Sequence, residues 1–258
     1  MELGLAGKLA LVTGASKGIG LAITRALIAE GATVVAGSRG SSPELEELPG
    51  VSSVRVDLST TAGPQQLVDA AREVGSIDVL VNNVGGVKPR LEGFLAVSEE
   101  DWLASLNLTF MAAVRTTRAA LPDMLAAGRG TIVNVCSVNA FLADPVVIDY
   151  SAAKAALWNF TKALSQELGP KGIRVNSVSP GPVSTELWLG DQGVAATVAQ
   201  AHGGDPAAVA KAAASSMPTG RFTEPAEVAD LVVLLASERA GNVTGSDFLI
   251  DGGLVKTL

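Results

Sequence analysis

The chain has 258 residues, of which 48% are hydrophobic, 17% charged and 4% aromatic, a composition far from that of a disordered protein. Its net charge of -7 argues against nucleic acid as a partner, because a phosphate backbone requires a basic surface. The most apolar stretch, Leu231–Ala236, is too short to span a membrane. The sequence contains one cysteine and shows no secretory signal, and these two features together predict a cytoplasmic protein.

Short β-branched segments alternate with longer, alanine-rich helical patterns along the chain. The predicted strands are Lys8–Thr13, Thr33–Ala36, Val54–Val56, Asp78–Val81, Thr131–Cys136, Arg174–Val178 and Phe248–Ile250. The predicted helices are Gly18–Glu30, Gln65–Val74, Glu99–Ala127, which Pro122 should bend near its end, and Asp149–Leu168. This alternation predicts right-handed crossovers, and hence a single α/β domain over residues 1–258, with a doubly wound Rossmann fold and a parallel sheet of about seven strands.

One stretch, from Pro182 to about Pro218, breaks the alternation. It is rich in alanine, glycine and valine, its periodicity is weak, and it contains no predicted strand. Long insertions of this kind after a strand are typical of mobile segments that close over a ligand. We therefore expect residues 182–218 to form a substrate lid.

The first predicted strand ends in a glycine-rich turn, Thr13–Gly20 (TGASKGIG), which leads directly into a helix. Glycine suits this position because the turn is tight, the backbone must approach a pyrophosphate, and the helix must pack against the sheet. The pyrophosphate would then lie at the helix N-terminus, where free N–H groups favour an anion. The spacing is G-x-x-x-G-x-G, which differs from the usual G-x-G-x-x-G of dinucleotide-binding folds.

Three polar residues form a candidate catalytic set. Tyr150 and Lys154 are four residues apart on a predicted helix, so both project from one face. Ser137 lies thirteen residues before Tyr150, at the carboxyl end of the fifth strand, where open α/β sheets bind their ligands. A free tyrosine has a pKa of about 10, and a nearby ammonium favours the phenolate, so we expect the pKa of Tyr150 to be lowered.

The glycine turn and the Ser-x12-Tyr-x3-Lys spacing together resemble the short-chain dehydrogenases/reductases, and the resemblance extends along the whole chain. It implies hydride transfer between a nicotinamide and a carbonyl or secondary alcohol, with Tyr150 as proton donor and Ser137 as hydrogen-bond donor to the same oxygen. By the same resemblance, Lys154 also holds the nicotinamide ribose. The backbone carbonyl of Asn107 would bind a water that leads protons toward Lys154.

The resemblance also assigns contacts with the cofactor. Asp57 and the backbone N–H of Leu58 would hold the adenine, while Val183 and Thr185 would fix the carboxamide. Asn82–Gly85 (NNVG) is similar to the family's N-N-A-G, with Val84 in place of alanine. The complete predicted cofactor set is Gly14, Ser16, Lys17, Gly18, Ile19, Gly20, Arg39, Asp57, Leu58, Asn83, Gly85, Tyr150, Lys154, Pro180, Gly181, Val183 and Thr185.

The end of the second strand bears on the choice of cofactor. NAD enzymes usually carry an acid there for the ribose 2′-OH, whereas this chain has Val34–Arg39 (VVAGSR) and no acid before Glu44. Arg39 can pair with a 2′-phosphate, and Lys17 in the glycine turn can add a second positive charge. The sequence therefore predicts NADP(H), with NAD(H) as the less favoured cofactor.

The sequence indicates the type of reaction more specifically than it indicates the substrate. Leu187 and Trp188 in the lid are the main candidates for substrate contact beside Ser137 and Tyr150, and they indicate an apolar or aromatic small molecule. Further apolar candidates are Phe141, Leu142, Val147, Leu189 and Met217. We expect no metal site, because His202 is the only histidine and no cluster of carboxylates accompanies it.

Two other functions stay open. A 3-oxoacyl-(acyl-carrier-protein) reductase would need a basic docking patch, for which the candidates are Lys88, Arg90, Arg129 and Lys171. A sensor that binds NADP(H) without turnover is the other. The family resemblance also implies a homotetramer or homodimer, assembled through the helices around Asn107 and Tyr150.

Overall fold

The computed structural model describes residues 2–257, and within them seven parallel strands form one sheet in the order β3-β2-β1-β4-β5-β6-β7. The strands are β1 (Leu9–Thr13), β2 (Thr33–Ser38), β3 (Val51–Arg55), β4 (Ile77–Asn82), β5 (Gly130–Val135), β6 (Ile173–Pro180) and β7 (Asp247–Ile250). The strand order reverses between β1 and β4, and such a switch point opens a crevice at the carboxyl ends of the strands. The predicted doubly wound parallel sheet of seven strands is confirmed.

The helices cover both faces of this sheet. They are α1 (Gly18–Ala29), α2 (Pro43–Glu46), α3 (Gly63–Val74), α4 (Glu99–Leu106), α5 (Ala112–Ala127), α6 (Ile148–Leu168), α7 (Glu186–Leu189), α8 (Val194–His202), α9 (Pro206–Ser215) and α10 (Pro225–Ala236). A π-helical turn, Asn107–Met111, joins α4 to α5, so the long predicted helix runs without a break, and Pro122 lies inside it. None of the helices in the described part of the chain is long and apolar enough to cross a bilayer.

The alternation of side chains along β1 shows why the sheet needs helices on both sides. Ala10 and Val12 contribute to one buried cluster, which includes residues of α1 and α10, whereas Leu9 and Leu11 contribute to a second, which includes residues of α3 and α5. Because β1 is buried on both faces, its sequence is a continuous apolar run rather than an alternating one.

One strand begins well before its predicted start, and several helices were not predicted. β3 lies at the edge of the sheet and begins at Val51 rather than Val54, and its exposed serines weaken the apolar pattern at its start. α10 is one of the helices that were not predicted; it begins at Pro225 behind a capping box between Glu224 and Glu227 and contains the apolar stretch Leu231–Ala236. The segment 182–218 contains α7, α8 and α9 and, as predicted, no strand among its described residues beyond one isolated bridge at Val183.

Candidate active site

A cleft of about 1140 Å³ opens at the carboxyl edge of the sheet, at the switch point between β1 and β4. This volume exceeds the range of about 300–1,000 Å³ that is usual for a small-ligand site, so a dinucleotide and a second small molecule can share it. Every residue predicted to contact the cofactor lines this cleft, as do Ser137, Leu187 and Trp188. Among the predicted catalytic residues, Asn107 alone lies outside its lining.

The glycine turn forms one wall of the cleft, and its geometry admits glycine only. Gly14 has a φ of 69°, in the left-handed region, and a Cβ added to Gly20 would collide with the carbonyl oxygen of Gly14. Helix α1 begins at Gly18, and no side chain of the described residues caps its first N–H groups. Those N–H groups therefore remain available to an anion, as a dinucleotide pyrophosphate requires.

Asn83 braces the glycine turn from the neighbouring strand. Its Nδ2 donates to the backbone carbonyls of Thr13 at 2.9 Å and Gly14 at 3.1 Å, while the Thr13 hydroxyl accepts from the N–H of Asn83 at 2.9 Å. The side-chain amide thus ties the end of β4 to the end of β1 across the switch point. Asn83 borders the cleft as predicted, but its side-chain nitrogen already donates hydrogen bonds to the backbone of the glycine turn.

The two cations predicted to meet a 2′-phosphate stand in different surroundings. Arg39 is exposed at the rim of the cleft, beside Ser41 and Ser42, whose hydroxyl groups the sequence analysis did not consider. Lys17 forms an ion pair with Glu186 of the lid, with 3.0 Å between Nζ and Oε2. The two serines follow Arg39 after a single glycine, Gly40, and this sequence pattern is a signal from which they could have been predicted.

Asp57 is the side chain that is predicted to contact the adenine of the cofactor. Hydrogen bonds from Ser59, both from its hydroxyl and from its N–H, lower the pKa of the Asp57 carboxyl, and the nearby charge of Arg39 lowers it further. Asp57 is therefore an ionised acceptor at neutral pH, close enough to Arg39 to interact with its charge. This arrangement fits the predicted contact between Asp57 and the amino group of an adenine.

The predicted catalytic side chains meet in the middle of the cleft. Lys154 is buried, its Nζ donates to the carbonyl of Val135 at 2.6 Å, and the same atom lies 5.7 Å from the centroid of the Tyr150 ring. Ser137 follows β5, and its side chain lies near enough to the Tyr150 hydroxyl to lower the pKa of that phenol. Helix α6 thus brings Tyr150 and Lys154 to the end of β5, as their four-residue spacing predicted.

The pKa of Tyr150 differs from the sequence-based expectation. Burial raises the pKa of this phenol from 10.0 to about 12, and the nearby Ser137 side chain offsets only part of the shift. Burial also lowers the pKa of Lys154 from 10.5 to about 8. The expectation of a lowered tyrosine pKa was therefore wrong for this structure, because desolvation of the phenolate outweighs the effect of its neighbours. Tyr150 is protonated at neutral pH, which is the state required of a proton donor.

Lys154→Met should stabilise the ligand-free protein at neutral pH while it removes the predicted ribose contact. Because the pKa of Lys154 is lower in the folded chain than its ordinary 10.5, protonation favours unfolding, at a cost of about 3 kcal/mol below pH 8. This cost should fade as the pH rises from 8 toward 10.5, where the unfolded chain also loses the proton. Urea unfolding of both proteins across this pH range measures the difference. A difference that does not depend on pH would contradict the prediction.

Asn107 begins the π-helical turn between α4 and α5. Its carbonyl accepts the N–H of Ala112, and its side-chain oxygen accepts from Arg115 at 2.9 Å. A carbonyl oxygen has a second lone pair, so the contact with Ala112 leaves room for the predicted water. Single π-turns within α-helices occur frequently at functional sites. The predicted role of Asn107 stays a prediction.

The substrate end of the cleft is more polar than the sequence suggested. Leu142 and Val147 line it together with the two predicted lid residues, whereas Phe141, Leu189 and Met217 do not. Three polar side chains that the sequence analysis did not consider also line this end, namely Asn139, Asp144 and Ser216. Asn139 could have been predicted from its position two residues after Ser137, and the other two depend on how loops and lid fold over the site.

The sheet topology, with a glycine turn at its switch point, defines a Rossmann-type α/β protein that binds dinucleotides. The same cleft contains side chains suited to proton transfer, namely Ser137, Tyr150 and Lys154. The family model described as short chain dehydrogenase matches residues 8–192 of the chain. The chain therefore belongs to the short-chain dehydrogenase family and is an oxidoreductase, and the resemblance found in the sequence is confirmed.

Individual relatives extend over the whole chain. L-xylulose reductase of Cavia porcellus is 39% identical over 262 residues, which are 100% of both chains. A 3-oxoacyl-(acyl-carrier-protein) reductase of Thermotoga maritima is 36% identical over 259 residues, which cover 97% of this chain and 99% of the relative. Among solved structures, L-sorbose reductase of Gluconobacter frateurii, complexed with NADPH and L-sorbose, matches with a TM-score of 0.91 at 35% identity and covers 100% of both chains.

Proposed function

We propose that the protein transfers hydride between NADP(H) and the carbonyl or secondary alcohol of a small molecule. The observation that carries this proposal is that Ser137, Tyr150 and Lys154 line the same cleft as the glycine turn. A bound nicotinamide would supply hydride to the carbonyl carbon or accept it from the alcohol. The remaining chemistry, which is to bind the oxygen and move its proton, falls to the side chains of this chain.

In carbonyl reduction, negative charge develops on the substrate oxygen. Tyr150 holds its proton at neutral pH, because burial raises its pKa to about 12, and it gives this proton to the developing alkoxide. Ser137 donates a hydrogen bond to the same oxygen and stabilises the charge before the proton arrives. Lys154 is held by the Val135 carbonyl beside the Tyr150 ring, and its positive charge stabilises the phenolate that proton transfer leaves on Tyr150.

Arg39 supports NADP(H) as the preferred cofactor. It is exposed at the rim of the cleft beside Ser41 and Ser42, and β2 ends without an acid. A guanidinium and two hydroxyl groups suit a phosphate, and the solved L-sorbose reductase contains NADPH. The charge of Lys17 is balanced by Glu186 in this structure, so its contribution requires that this exposed ion pair open.

Arg39→Ala should raise the KM for NADPH by about 10-fold or more and change the KM for NADH little, because a charge-assisted contact with the 2′-phosphate contributes about 1.5–3 kcal/mol. Steady-state kinetics with each cofactor measure this. Arg118→Ala, which removes an exposed cation from α5, is the matched control and should affect neither cofactor. Equal losses with NADPH and NADH would contradict the assignment.

The reaction itself is tested by following nicotinamide absorbance with a panel of ketones, quinones and ketoses. Ketoses belong in the panel because two relatives are reductases named for L-xylulose and L-sorbose. Apolar carbonyl compounds belong in it because Leu142, Val147, Leu187 and Trp188 line the substrate end. Binding of NADPH without turnover of any substrate would replace this proposal with the cofactor-sensing function.

A 3-oxoacyl-(acyl-carrier-protein) reductase is the second candidate, supported by the relative of that name. Such an enzyme needs cations that are free to meet an acidic carrier protein. The side chain of Arg90 is only 9% exposed and pairs with Asp149. The other three predicted docking cations each lie within 4 Å of an acid: Lys88 of Asp101, Arg129 of Asp78 and Lys171 of Glu167. Only Arg90 is withdrawn from the surface by its pairing, which leaves a docking patch of three exposed cations, each partly neutralised by a neighbouring acid, and this thin patch favours the small-molecule function.

We also propose that residues 182–218 act as a lid. A further proposal is that the protein is a homotetramer or homodimer. Phe94 is 61% exposed and Leu95 is 96% exposed just before α4, and Leu103 on α4 is 50% exposed. A surface this apolar in one region is typical of an interface. Light scattering of the purified protein measures the assembly, and a monomer would contradict this part of the proposal.

A further inference from the structure

Asn139 is a polar side chain at the substrate end of the cleft, two residues after Ser137. Ser137 Oγ donates to Asn139 Oδ1 at 3.2 Å and accepts the backbone N–H of Asn139 at 3.2 Å. The other end of the amide, Nδ2, donates to the carbonyl of Leu142 at 3.3 Å. Reversing the amide would place two acceptors against each other at Leu142, so these contacts fix Oδ1 toward Ser137.

The two other polar side chains at this end each make a local hydrogen bond within their own turn. Asp144 Oδ1 accepts the N–H of Val146 at 2.9 Å, and Ser216 Oγ donates to the carbonyl of Ala213 at 2.6 Å. Neither contact needs to change when a substrate enters. Asn139 Oδ1, in contrast, accepts its hydrogen bond from the Ser137 hydroxyl, and the proposed reaction requires this hydroxyl to donate to the substrate oxygen instead.

Ser137 has a single proton to donate. During carbonyl reduction that proton must turn from Asn139 to the substrate oxygen, which leaves Asn139 Oδ1 without a donor. Two oxygens on adjacent carbon atoms are separated by about the length of a hydrogen bond. A carbonyl oxygen held at Ser137 therefore brings a hydroxyl group on the neighbouring carbon within reach of Asn139 Oδ1.

We propose that Asn139 is a specificity-determining residue that accepts a hydrogen bond from the hydroxyl group next to the reacting carbonyl, so that the substrates are α-hydroxy ketones. The inference rests on the proposed function, and it adds the substrate class. A ketone without that hydroxyl leaves Asn139 Oδ1 to water, which can enter because Asn139 is partly exposed. Discrimination is therefore smaller than in a sealed polar pocket, and about 10-fold is expected.

The test compares kcat/KM, with NADPH as cofactor, for hydroxyacetone and its deoxy counterpart acetone. Asn139→Leu should reduce the preference for hydroxyacetone over acetone by about 10-fold. Asn139→Asp keeps an acceptor oxygen and should retain more of the preference than Asn139→Leu. Ser137→Ala is the matched contrast, because Ser137 contacts the carbonyl that both ketones share, and it should lower both activities by a similar factor.

Other outcomes overturn the inference. If Asn139→Leu lowers both activities equally, Asn139 only orients Ser137, and if it changes neither, the side chain does not contact substrate. If the wild-type protein reduces ketones but prefers those without the hydroxyl group, the substrate class is wrong while the proposed function stands. If the wild-type protein binds NADPH but reduces no ketone in the panel, the proposed function fails and the inference fails with it.

Discussion

Replacing Tyr150 with phenylalanine should lower kcat/KM for carbonyl reduction by about 10²–10⁴-fold, the usual contribution of a positioned general acid. The substitution removes one hydroxyl group and keeps the ring against which Lys154 lies, at 5.7 Å from Nζ to the ring centroid. The alkoxide that develops on the substrate would then lose its proton donor, while Ser137 and the glycine turn remain in place. Oxidation of NADPH, followed with the best substrate of the panel, measures the loss.

Two controls separate chemistry from binding and folding. Quenching of protein fluorescence by NADPH should give a Kd that changes far less than kcat/KM, because Tyr150 is one of seventeen predicted cofactor contacts and those along the glycine turn do not involve its hydroxyl. Ser165→Ala removes a hydroxyl from the same helix at a position outside the cleft lining, so its kcat/KM should stay at the wild-type value. A fall of less than about 10-fold in Tyr150→Phe would show that another group or water supplies the proton.

Sequence alone predicted the features that depend on local pattern. Apolar runs of strand length, alternating with helical patterns, predict the parallel sheet, and glycines at the end of β1 predict the first crossover turn. The spacing between Tyr150 and Lys154 is likewise local, because residues four apart share a helix face wherever the helix lies. These features survive in the structure because they do not depend on which distant segments surround them.

The features that sequence could not predict depend on burial by distant segments. Whether Lys154 lowers the pKa of Tyr150 is decided by how far the surrounding fold excludes water from both groups, and here desolvation prevails. The polar character of the substrate end is another example, because Ser216 reaches the cleft only through the folding of the lid. Arg90, predicted as a surface docking cation, is nearly buried for the same reason.

Arg90→Met should lower the free energy of unfolding by about 3–5 kcal/mol, the usual cost of leaving one charge of a buried ion pair without its partner. Arg90 and Asp149 have side chains only 9% and 3% exposed, and their closest N and O atoms are 2.5 Å apart. The second carboxylate oxygen of Asp149 is already buried without a partner in the described part of the chain. Without Arg90 the whole carboxylate would be buried and uncompensated, one residue before Tyr150. Urea unfolding of the ligand-free protein measures the loss.

A double-mutant comparison tests whether the uncompensated charge causes this loss. Arg90→Met with Asp149→Leu removes both charges and should be more stable than Arg90→Met alone, because apolar side chains of similar size can replace a buried ion pair at little cost. The exposed pair between Lys17 and Glu186 is the matched control, with 3.0 Å between its atoms but side chains 72% and 73% exposed. Lys17→Met should hardly move the urea midpoint, because water screens such a pair. Arg90 also pairs with Asp101 at 2.8 Å, and both variants lose this contact. If the double variant is no more stable than Arg90→Met, lost packing or the lost pair with Asp101, rather than the buried charge of Asp149, accounts for the effect.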